Sequence, residues 1–241
     1  MRSIRRAVPF AALLLIAFGP ARPQSHIKHH ATRTASELKP FRLPFTSPAG
    51  PATWYLAQPY GNTVGAYFQR HDTYRYGQGI HFGVDFAAPC GTEIVAIGDG
   101  VVSEVDKLSH GALPHNLLID HPNGYTSFYG HLLRRAQLYP GQRVTAGQVV
   151  ALSGDPDETC HSRPHLHLEI RDHSHTRATN PVTLIDADWN ALTLAGPSAR
   201  GFERDLDDPR RWQFLDDQPD IVFSGRLLND YDYPWPPEWG R

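Results

Sequence analysis

Six side chains able to hold a metal or move a proton are gathered in three short runs of this sequence. They are His81 and Asp85 in His81-Phe82-Gly83-Val84-Asp85, His131 in Tyr129-Gly130-His131-Leu132, and His165, His167 and Glu169 in Pro164-His165-Leu166-His167-Leu168-Glu169-Ile170. The first and last runs read as β-strands, whose side chains alternate between faces. His165, His167 and Glu169 then share one face and Leu166, Leu168 and Ile170 the other. Upstream, His81, Gly83 and Asp85 share a face, with Phe82, Val84 and Phe86 behind it. Gly83 leaves room between its two neighbours for an ion. Two imidazoles and one carboxylate make a zinc set with one position open to water, the arrangement of a catalytic rather than a structural site. A single strand histidine carries no such implication; the collection does.

Taken in order, H-x-x-x-D, Tyr-Gly-His-Leu and H-x-H resemble the motifs of the lysostaphin/LytM-type zinc endopeptidases, which cut peptide cross-links or bridges in bacterial cell walls. The resemblance covers roughly Trp54 to Ile185. It implies that His81, Asp85 and His167 bind one zinc ion per chain and that His131 and His165 are a catalytic pair outside the coordination sphere. It also implies a peptidoglycan peptide as substrate and a secreted, periplasmic or cell-envelope location. A non-catalytic wall-binding or amidase-activating module is the alternative, but such relatives characteristically lose ligands, and every one stands here. Just before the last motif the family usually has small residues and Gly, where this chain reads Cys160-His161-Ser162-Arg163-Pro164. That departure bears on the shape of the substrate groove. Lipoyl and biotinyl carriers use similar Gly-rich hairpins, but they need a Lys at a hairpin tip, and no Lys follows Lys107.

Amide hydrolysis needs an activated water and stabilisation of a developing oxyanion, both of which zinc supplies. A proton must also pass from the water to the departing nitrogen. No H-E-x-x-H helix motif is present to do this with Glu. An imidazole titrates near neutral pH, so His131 and His165 are suited to it, in either division of roles. Glu169 is placed to orient a ligand histidine. The remaining histidines of this region (His71, His110, His115, His121, His161, His173 and His175) fall in loops or at loop edges.

The elements that must position these groups are short strands. Pro and Gly number 21 and 20 in 241 residues, against one Met, which favours an all-β fold over long helices. Strands are expected at 93–97, 101–105, 116–120 and 125–129, with two more in 141–152 around a Gly turn. Gly98-Asp99-Gly100 and Pro122-Asn123-Gly124 read as hairpin turns. The fold class expected is an antiparallel two-layer sheet, or barrel-sandwich hybrid, with short loops and an extension at each end.

Four segments follow. Arg2, Arg5 and Arg6 before an apolar run from Ala7 to Phe18 predict an export signal over 1–21, too short to span a bilayer, so no membrane insertion is expected after cleavage. Residues 22–50 read as a linker, with His26, His29 and His30 as solvated side chains. The peptidase-like domain occupies 51–185, and 186–241 form an extension holding Trp189, Trp212, Trp235 and Trp239, expected to pack on the domain. A formal net charge of −2 gives no electrostatic case for nucleic acid, and a monomer is expected. Only Cys90 and Cys160 are present, each five residues from a ligand strand's chemistry, at Asp85 and His165. Antiparallel neighbours would bring these flanks together, so a disulfide beside the site is predicted.

Overall fold

The spine of the molecule is the strand His165–Asp172 (β9), and its neighbours explain the rest of the architecture. One edge pairs with Val84–Ala87 (β2) and, further along, with Arg177–Thr179 (β10). Its other edge pairs with Tyr125–Gly130 (β6) along six register positions. Tyr55–Gln58 (β1) extends the sheet beyond β2. On the far side Leu117–Asp120 (β5), Gly100–Val105 (β4) and Arg143–Val144 (β7) follow β6. Ile221–Val222 (β11) caps β10. All pairs in this nine-stranded sheet are antiparallel, and a second, two-stranded sheet joins Glu93–Val95 (β3) to Val149–Leu152 (β8). Helices are short: Val64–Phe68 (α1), Pro181–Leu184 (α2) and Trp189–Ala195 (α3). The all-β antiparallel class read from the sequence is the class observed. This computed structural model describes residues 39–195 and 214–230. The expected signal, most of the expected linker, and Trp212, Trp235 and Trp239 lie outside the described residues.

Leu166, Leu168 and Ile170 of β9, with Val84 and Phe86 of β2, are fully buried. Burying side chains of this size contributes about 1.5–3 kcal/mol each, which locks the register. A slip by one residue would put His165 and His167 into the core. Phe86 packs edge-on to Trp54, which stacks on Phe45 at 4.7 Å.

Three departures from the sequence expectations have clear causes. Residues 39–50 are not a free linker: Phe41 and Phe45 are buried, and Phe41 exchanges backbone bonds with Leu184 (3.1 Å) and Asp186 (2.7 Å). Gly98-Asp99-Gly100 does not close a hairpin, since β3 goes to β8 and β4 to β5 and β7. Here the chain crosses between sheets with no space for a side chain at either glycine; a Cβ on Gly100 would stand 2.5 Å from the Asp120 carbonyl. By the same crossing, β7 and β8 do not pair with each other. The Pro122-Asn123-Gly124 turn does join β5 to β6.

Candidate metal centre and groove

Register and pleat bring the separated motifs together. Across β2 and β9, Asp85 faces His167 and Ala87 faces His165. On the other edge Gly130 of β6 faces His167, so His131, one residue further, is delivered beside it. His131 takes a left-handed φ of 56°, held by its N–H donating to Ala112 (3.0 Å) and its carbonyl accepting from Gly154 (2.9 Å). His81 does not sit on the strand proper, which begins at Val84. It comes from the preceding loop, pinned to Gly61 by two backbone bonds of 2.8 and 2.9 Å.

The three donor atoms close on one point. His81 Nε2 lies 3.3 Å from Asp85 Oδ1 and 3.3 Å from His167 Nδ1, which is 2.8 Å from Asp85 Oδ1. Ligands about 2.0–2.2 Å from zinc at tetrahedral angles stand about 3.3–3.5 Å apart. The donor types fit the ion, the two separations from His81 match that spacing, and the 2.8 Å between Asp85 and His167 is the hydrogen bond of the metal-free pair. The far nitrogens settle the tautomers. His81 Nδ1–H donates to the Pro59 carbonyl at 2.8 Å, and His167 Nε2–H to Glu169 Oε1 at 3.2 Å. That leaves His81 Nε2 and His167 Nδ1 as the nitrogens facing the ion site, and in the metal-free chain the latter shares a proton with Asp85 at 2.8 Å that an ion would have to displace.

Glu169, expected to orient a ligand, holds His167 in this way. Its counter-ion is Arg171, whose Nε and one terminal nitrogen bond the two carboxylate oxygens at 2.7 and 2.9 Å. Both side chains are fully buried. The guanidinium also lies between the rings of Phe128 (4.3 Å) and Phe223 (4.8 Å). Burial alone would raise the Glu169 pKa, but Arg171 and His167 outweigh it and keep the group ionised. Asp85 behaves alike: burial opposes the charge, and His81, His165 and His167 hold the pKa well below the usual carboxylate range. In the metal-free chain burial disfavours protonation of His167, yet Asp85 and Glu169 raise its pKa to about 9.

His131 and His165 face each other with ring centroids 4.7 Å apart, and His131 lies 5.9 Å from the His167 ring. His165 Nδ1–H donates to the Arg163 carbonyl at 2.7 Å, and His131 Nδ1–H to the Leu113 carbonyl. Each therefore keeps an Nε2 lone pair, and His165 Nε2 is 3.8 Å from Asp85 Oδ1. Burial first, then His167 and His165, push the His131 pKa down to about 3, so that ring is neutral.

A groove of about 690 Å³ opens over these residues. One wall carries Tyr55, Gln58, Tyr74 and Tyr76, another Ser109 to Ala112, and a third Ser162, Arg163 and Pro164. The predicted disulfide, Cys90–Cys160, spans Cα atoms 5.8 Å apart and tethers that third wall to the end of β2. His110 and His175 gather with Glu104 as a second set of potential donors. His110 is already committed, with Nδ1 accepting from Arg171 (3.1 Å) and Nε2–H donating to Glu104 (2.9 Å).

Arg171 is not among the residues singled out from the sequence, although it continues the period-two face of His167 and Glu169, and that alternation is the signal that could have found it. The contribution of 214–230 left no such signal. Gln218 Oε1 accepts from the Asn62 N–H at 2.7 Å, and Asn229 Nδ2 donates to the Gly79 carbonyl at 2.6 Å. These contacts brace the loop that delivers His81, while Phe223 flanks Arg171. A Cβ on Gly61, whose φ is 107°, would stand 2.0 Å from Gln218 Oε1, so the strap needs glycine there.

Residues 79–181 match the model of peptidase family M23. That segment of the chain is M23-like. Over 90 residues the chain is 39% identical to peptidoglycan DD-endopeptidase ShyA of Vibrio cholerae, covering 37% of this chain and 20% of that protein. Glycyl-glycine endopeptidase ALE-1 of Staphylococcus capitis is 32% identical over 128 residues, covering 52% of this chain and 34% of that one. The chain thus spans a fifth to a third of the length of these relatives. A crystal structure of a catalytic-domain mutant of the prophage-encoded M23 protein EnpA from Enterococcus faecalis is 29% identical, covering 59% of this chain and 95% of that one, with a TM-score of 0.45. Glu169, Arg171 and the disulfide belong to, or touch, the M23 segment; the strap at 214–230 lies outside it.

Proposed function

We propose that this chain is an exported zinc metalloendopeptidase that hydrolyses peptide bonds in peptidoglycan stems or cross-bridges. The observation that carries the reading is the convergence of His81 Nε2, Asp85 Oδ1 and His167 Nδ1 within 3.3 Å of one another, beside two histidines with free Nε2 lone pairs. The names of the relatives supply the substrate class.

In this reading His81, Asp85 and His167 hold one zinc ion. When bound, zinc supplies Lewis acidity and lowers the pKa of water from about 15.7 to about 7. The chain's own part is proton handling and orientation. His131 and His165 have Nδ1–H tied to backbone carbonyls, so each accepts a proton only at Nε2. One ring takes the proton of the attacking water at Nε2 and becomes a donor. That proton then goes to the amide nitrogen as the C–N bond breaks, which restores the neutral ring. The facing ring orients the carbonyl oxygen or the water. Such positioned acid–base help contributes about 10²–10⁴ in rate.

The test separates ligands from proton carriers. His81→Ala, Asp85→Ala and His167→Ala should lose bound zinc and turnover together, read by metal analysis of the purified protein. His131→Ala and His165→Ala should keep zinc and lose about 10²–10⁴ in kcat on purified cell walls. Full zinc occupancy in the Asp85 variant would break the assignment.

A further inference from the structure

We infer that Arg163 binds a substrate carboxylate beside the scissile bond, so that the groove selects acidic peptide stems over neutral glycine bridges. The inference rests on the function proposed above and narrows its substrate class. Among the described residues lining the groove, Arg163 is the sole Lys or Arg and Asp85 the sole acid. Asp85 is already engaged by His81 and His167. The Arg163 guanidinium is exposed and has no hydrogen bond or ion pair among the described residues. A positive charge thus stands at the rim with nothing to neutralise it.

Its base is rigid, which makes it a binding group rather than a solvated tether. The Arg163 N–H donates to Asp155 Oδ2 at 3.3 Å, and its carbonyl accepts from His165 Nδ1 at 2.7 Å. Ser162 fixes the same turn through its N–H (3.1 Å) and Oγ (2.7 Å) to Asp155, a buried carboxylate. Cys160, three residues earlier, is bonded to Cys90. The side chain therefore leaves the backbone two residues from His165, on a wall held at both ends. Guanidinium is the group best shaped for two-point binding of a carboxylate. A glycine bridge offers it only peptide groups. Two carboxylate sources share this chemistry: the free α-carboxylate of a stem, and a side-chain carboxylate within it.

The experiment uses the full zinc-loaded chain and four synthetic peptides. These are a cross-linked stem with free carboxylates, the same stem amidated at its α-carboxylate, the same stem amidated at its side-chain carboxylates, and pentaglycine. For the free stem, Arg163→Gln should raise KM about tenfold with zinc content and melting temperature held, a hydrogen bond to a charged group discounted for an open groove. Arg163→Lys should recover part of the loss. Amidating the carboxylate that Arg163 reads should cost the wild-type chain the same factor and the Gln variant little further, as expected when either partner of one contact is removed. Which amidation does so names the source. The same pattern should appear in calorimetric binding of the stems to the zinc-free chain, a readout that does not need turnover. If cleavage and binding are indifferent to amidation, or Arg163→Gln weakens all four peptides alike, the inference is overturned while the peptidase reading stands. If no wall peptide is cut but stem binding still depends on Arg163 and carboxylate together, the peptidase reading fails instead.

Discussion

The Glu169–Arg171 pair gives the sharpest test of how this site is held. Glu169→Gln keeps the size of the side chain and an acceptor for His167 Nε2–H but removes the charge. Arg171, with no exposure and two ring faces around it, would then be a buried cation without a counter-ion. Removing one partner of a buried ion pair costs about 3–5 kcal/mol. A domain of this size shifts by about 2–4 °C per kcal/mol, so melting should fall by about 6–20 °C. The assay is denaturant unfolding with chelator present, because bound metal would itself add stability. Replacing both residues, as in Glu169→Leu with Arg171→Met, removes the charge altogether and should be less costly than Glu169→Gln. Zinc affinity, read by competition with a chromophoric chelator, should drop at least tenfold in Glu169→Gln, because the charge that supports His167 is gone. Stability within about 1 kcal/mol of wild type together with unchanged zinc affinity would refute the reasoning, since that lies outside the range for a broken buried pair.

Two further outcomes follow from the geometry. His167 in the metal-free chain is protonated below about pH 9, and a ligand nitrogen must be bare, so zinc binding should release one proton at pH 7 and apparent affinity should climb about tenfold per pH unit from 6 to 8. Calorimetry in buffers of different ionisation enthalpy measures this, and zero release would show that His167 is already neutral in the metal-free chain. Phe223→Ala, outside the M23 segment, should destabilise the chain by about 3–5 kcal/mol and also weaken zinc binding, through Arg171 and the loop at Tyr76. Loss of stability with zinc affinity intact would leave the strap a merely structural element.

Much of this site can be read in one dimension because a strand repeats every two residues. His165, His167, Glu169 and Arg171 must share a face wherever β9 lies, and the leucines behind them must be buried. Spacing alone therefore grouped the ligand candidates, and the positions of Cys90 and Cys160 beside the two ligand runs anticipated their bond. The pairing of Gly98-Asp99-Gly100 was misread because turn chemistry specifies a bend, not which strand lies across it. Only the folded chain decided that β3 joins β8, that Phe41 and Phe45 belong to the core, and that His81 arrives from a loop braced by Gln218 and Asn229. Gln218 and Asn229 reach partners 156 and 150 positions away through single hydrogen bonds, and no local period records such contacts. Chain-local alternation chose the chemical groups; long-range packing chose the tautomers, the charge partners and the wall on which Arg163 stands.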